Sequence, residues 1–102
     1  MRKFKYDNTI YLAPVPNEIV SYITEIIGFI PKMKITSNLI FDRDLGFEPL
    51  DFLDLIMNVE RDNRIKIPDD DDINSSMTVG NFVAVVEESI ERKEGIRRKY
   101  HN

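Results

Sequence analysis

Ile19, Ile23, Ile26, Ile27 and Ile30 recur at intervals of three and four, the period of a helix with one apolar face. Pro16 suits a first-turn position and Gly28 with Pro31 marks an end, so a first helix is predicted over 16–29. From 31 to 45 no period is sustained. Ile35, Leu39, Ile40 and Phe41 nevertheless interrupt the polar residues there, which predicts a long connection pinned to a core. Between Pro49 and Asn63 the apolar positions Leu50, Leu53, Ile56, Met57 and Val59 alternate with a polar stripe at Asp51, Asp54, Asn58 and Asp62, a spacing that only a helix satisfies. Ile65, Ile67 and Pro68 break that pattern. Asp69 can then cap a short helix reaching about Ser76, with Asp70 to Asp72 set against its positive end. Thr78 caps a last helix that aligns Val79, Phe82, Val83, Val86 and Ile90, and Gly95 suggests its stop. The expectation is an all-α bundle of four helices, three long and one short.

Three segments follow: an N-terminal arm over 1–14, a bundle over 15–94 and a basic tail over 95–102 carrying Arg97, Arg98 and Lys99. The arm alternates weakly, with Phe4 and Tyr6 on one side of polar Asp7 to Thr9 and Ile10 and Leu12 on the other. A lone hairpin is marginal in water, so an extended arm on the bundle is the expectation.

Composition sharpens this picture mainly by exclusion. A chain of 102 residues with 42% hydrophobic residues supports one core and leaves no room for a second domain. Cysteine is absent and the one histidine is His101, which excludes disulfides, thiolate chemistry, a transition-metal site and a histidine-centred catalytic dyad. The basic start at Arg2, Lys3 and Lys5 runs into polar residues where a secretory leader needs an apolar stretch, and no apolar run approaches the ~18 residues that span a bilayer. A cytoplasmic protein with no membrane role is expected. Net charge is −4, but it is unevenly spread: Asp42 to Asp72 holds eleven acids and four bases, a net −7 against +3 elsewhere. Such a middle repels phosphate backbones, so nucleic acid is not expected as a partner, whereas a basic protein surface is.

The run Asp44-Leu45-Gly46-Phe47-Glu48-Pro49-Leu50-Asp51, then Leu55 to Glu60, then Ile67-Pro68-Asp69-Asp70, resembles the acyl carrier protein family over about residues 15 to 93. The resemblance implies a four-helix up-down bundle with a long first loop and a short third helix. It also implies a phosphopantetheine arm on the serine that begins the family's Ser-Leu-Asp, and that position here is Pro49. Proline has no hydroxyl to take the phosphoryl group, and neither Glu48 nor Asp51 is an aliphatic alcohol. Ser37, Ser75, Ser76 and Ser89 lie far from it in sequence. As a first-turn residue, though, Pro49 costs the fold nothing.

The leading expectation is therefore a monomeric, non-enzymatic pseudo-carrier without cofactor or metal. It would dock through Glu48, Asp51, Asp54 and Glu60 on a basic partner, by the resemblance an acyl-chain enzyme, with Arg61 interrupting the acidic face. The alternative is a working acyl or peptidyl carrier in fatty acid, polyketide or peptide synthesis with atypical attachment. Asp70, Asp72 and Asn74 imitate the start of a calcium loop, but Ser75 replaces its glycine and Asn81 its closing glutamate, so helix-start acids account for the run. Phe29, Phe41, Phe47, Phe52 and Phe82 would fill the core or, by the resemblance, line an acyl cavity.

Overall fold

A computed structural model describes residues 15–28 and 34–100, with side chains through 95. It contains α1 (Asn17–Ile27), α2 (Phe41–Leu45), α3 (Pro49–Asn63) and α4 (Val79–Tyr100), and no strand forms among the described residues. The expected all-α bundle is present. The arm over 1–14 and Phe29, Ile30 and Pro31 lie outside the described residues.

α1 ends where the sequence marks it, at Gly28, whose φ of 79° is open to glycine without a side-chain penalty. Its Ile19 and Ile23 are buried against α3. The Tyr22 hydroxyl donates to Asp62 at 2.5 Å and the Asn63 amide to Glu18 at 3.3 Å. Because residues near the start of α1 meet the end of α3, the two helices are antiparallel. Phe52 meets Phe82, and eleven residues further along each helix Lys93 donates to the Asn63 carbonyl at 2.9 Å. Equal offsets mean that α3 and α4 run the same way, so this pair departs from strict up-down order. The connection over 64–78 is long enough to return the chain to the starting end.

That connection contains a correction. Asp69 to Ser76 does not wind into a continuous third helix but forms successive turns, closed by Ile73 N–H on Asp70 O (2.9 Å) and Met77 N–H on Asn74 O (3.0 Å). The Asp70 and Asn74 side chains accept the N–H groups of Asp72 and Ser76, the habit of Asx residues in turns. Side chains that satisfy the backbone locally compete with helix propagation here. Conversely, the loop over 31–45 hides the short α2, too brief to show a period. It is fastened by the Asp44 carboxylate on the Ile40 N–H at 2.7 Å and stopped by Gly46 at φ 72°.

α4 begins at its predicted cap, Thr78 Oγ1 accepting the Asn81 N–H at 3.0 Å. The preceding loop supplies the other acceptors: Leu39 O takes the Val79 N–H at 2.8 Å and Ser37 O the Gly80 N–H at 2.9 Å. Phe41 and Asp42 donate in return to Met77 and Ser75 carbonyls, and Ile40 and Thr78 form an antiparallel bridge. This clasp covers the second side of α4, which is why residues 79–86 are buried all round rather than on one face. Gly95 does not stop the helix, which continues to Tyr100 and so incorporates Arg97, Arg98 and Lys99.

Four phenylalanines form the centre. Phe41 is fully buried with ring centroids 5.1 Å from Phe47, 5.2 Å from Phe52 and 5.7 Å from Phe82, in tilted or edge-on geometry.

Candidate functional site

The chemistry suggested by the sequence converges on α3. Its first residue is Pro49, exposed, preceded by Glu48 in extended conformation (φ −91°). The Asp51 carboxylate reaches back to accept the Glu48 N–H at 2.9 Å, which forms half of a capping box. An acid-capped proline thus occupies the position to which the resemblance assigns the attachment serine. Ser75 and Ser76 are folded against α2 instead, Ser76 donating to the Asp42 carboxylate at 2.6 Å.

α3 is apolar on two sides. Phe52, Leu55 and Val59 are buried in the core, whereas Leu50, Leu53 and Met57 are 73%, 48% and 55% exposed. By sequence spacing those three belong to the same apolar set as Val59. At 100° per residue they instead form a second stripe facing outward, and the signal was available in that angle. A stripe of large apolar side chains left in water marks a contact surface more often than an accident of packing.

Asp51, Asp54 and Arg61 border this stripe on the side toward α1. With Glu25, Ile26, Met57 and Asn58 they line a groove of about 520 Å³. Asp54 is exposed. Glu60 stands apart: nine residues from Asp51, it lies on roughly the opposite side of the helix. Its carboxylate accepts the Ile67 N–H at 2.8 Å with Lys66 3.9 Å away, and so secures the start of the connection to α4. Of the four predicted acids, Glu48 and Asp51 sit together at the helix start, Asp54 lies one turn on, and Glu60 is not brought to them.

An acyl carrier protein of Thermotoga maritima is 31% identical over 74 residues, covering 72% of this chain and 89% of its own length. Another, of Lactobacillus johnsonii, is 37% identical over 70 residues, covering 69% and 85%. The chain belongs to the acyl carrier protein family. No family model matches it, and no solved structure does.

For this acyl carrier protein relative, the remaining electrostatics are structural. The Ile40 N–H, then Arg43, hold the Asp44 carboxyl below the usual carboxylate range. Tyr22 and Arg61 do the same for Asp62, and burial followed by the Asp62 hydrogen bond pushes the Tyr22 phenol up. Among the described residues no three potential ligand side chains converge as a metal site. No helix among the described residues is long and apolar enough to cross a membrane.

Proposed function

We propose that this protein is a pseudo-carrier: a non-catalytic member of the acyl carrier protein family that works without phosphopantetheine and docks through α3 on a basic partner protein. One observation carries the reading, the exposed Pro49 at the first position of α3, where a carrier needs a hydroxyl. The docking half is supported by Leu50, Leu53 and Met57 exposed beside Asp51 and Asp54, an apolar stripe with an acidic border. The border steers a basic partner and the stripe supplies the buried contact. An enzyme of acyl-chain metabolism is the partner class that the family membership favours.

Incubation with coenzyme A and a broad-specificity phosphopantetheinyl transferase is expected to leave the intact mass unchanged, while Pro49→Ser gains one phosphopantetheine. A gain on the unaltered chain would instead establish the atypical carrier. Partner capture should weaken with salt and with Asp54→Lys, and fail in Met57→Gln. Asp54 is the informative acid, since Asp51 also caps the helix.

A further inference from the structure

At the opposite end of α3 from Pro49, about 22 Å along the helix axis, the residues after α3 and the middle of α4 border a second, open pocket of about 340 Å³. It is lined by Ile65 and Pro68, by four cations (Arg64, Lys66, Arg92 and Lys93), and by Ser89. Three of these cations are engaged in the fold. Lys93 donates to the Asn63 carbonyl at 2.9 Å, Arg92 lies 3.5 Å from Glu88, and Lys66 is 3.9 Å from Glu60. Arg64 makes no ion pair among the described residues and is exposed, in the left-handed conformation (φ 54°) where glycine would be more comfortable. Ser89 is 4% exposed, and its hydroxyl is buried with no hydrogen-bond partner. A buried hydroxyl in that condition is costly unless something completes it.

We propose that this pocket binds a small amphiphilic anion, a single carboxylate or phosphate head on a short apolar body. Arg64 and the Ser89 hydroxyl hold the head, and Ile65 and Pro68 receive the body. The four cations outnumber the two acids paired with them, Glu60 and Glu88, so the pocket favours negative charge even beside the carbonyl end of α3. Guanidinium suits either head because its planar fork matches two oxygens. Ser89 lines the pocket and its hydroxyl has no other partner to give up, so a head group reaching it would complete it. The inference is independent of the docking face, which shares no lining residue with this pocket.

Titration of the full chain with octanoate and with octyl phosphate, followed by amide resonances and calorimetry, tests this. Octanol and inorganic phosphate serve as the controls lacking head or body. At least one amphiphile should bind about tenfold or more tighter than either control, moving the amides of Ile65, Lys66 and Ser89. The tighter of the two identifies the head. Arg64→Gly should raise the melting temperature by relieving the left-handed residue, yet abolish the preference for the anion over octanol. Ser89→Ala should weaken binding about fivefold without lowering the melting temperature, since it removes an unpartnered hydroxyl. Equal binding of octanol, equal binding of inorganic phosphate, resonance changes confined elsewhere, or destabilisation by Ser89→Ala would each overturn the proposal.

Discussion

Tyr22 and Asp62 show how one side-chain pair joins two helices and responds to pH at both ends of the range. Asp62 titrates below its unfolded value of 3.8, mainly because the Tyr22 hydroxyl donates to it, so its contribution is present above that value and is lost as pH falls through the lowered one. Tyr22 titrates above its unfolded value of 10.0, so its contribution is present below pH 10 and is lost as pH rises beyond it. Tyr22→Phe is therefore expected to lower the melting temperature by roughly 4 °C. The gap from the unaltered chain should be widest between about pH 4 and pH 10 and should narrow on both sides. Thermal melts across pH measure it directly. Neither residue looked special in the sequence. Tyr22 reads as one aromatic beside an isoleucine period, and its partner is 40 positions away.

Elements were legible where a period had room to develop. α3 is bounded as predicted, by Pro49 and Asn63, because fifteen residues give four turns of evidence and both ends carry their own markers. α2 was not legible because five residues make little more than one turn, and its stabilising contacts come from the distant residues 75–77. Asp69 to Ser76 misled in the opposite direction: acids that suit a helix start also suit Asx turns, and only the tertiary path decides between them. The candidate site divides in the same way. Pro49 was readable from a one-dimensional motif, but the outward stripe of Leu50, Leu53 and Met57 required knowing which side of α3 the core takes. Gly95 permits a direct test of the α4 boundary. It is exposed, a Cβ there would meet nothing within 4 Å, and the helix runs through it. Gly95→Ala should therefore stabilise by up to about 1 kcal/mol, read as a higher urea midpoint, whereas a helix that stopped at Gly95 would be destabilised by the change.

At the scale of the molecule, the phenylalanine centre draws its rings from every helix except α1, whose Ile19 and Ile23 belong to the same buried cluster. Phe41 comes from α2, Phe47 from the turn after it, Phe52 from α3 and Phe82 from α4, and all four are buried. Phe41→Ala should cost about 3–5 kcal/mol, a large part of the ~5–15 kcal/mol available to a domain. Its urea midpoint should fall sharply, and near-UV circular dichroism should weaken even without denaturant.

The clasp between residues 37–42 and 75–80 also bears on how the chain folds. Its backbone bonds join Ser37 to Gly80, Leu39 to Val79, Phe41 to Met77 and Asp42 to Ser75, enclosing α3 and the connection that follows it. Closing a segment of that length carries an entropy cost that local helix formation does not, and the first turn of α4 has no backbone acceptors from the loop until closure is complete. Helix-rich local structure should therefore precede the clasp during refolding. In the folded protein, the amide hydrogens of residues 41, 42, 79 and 80 should exchange with solvent at a common rate, as one cooperative opening.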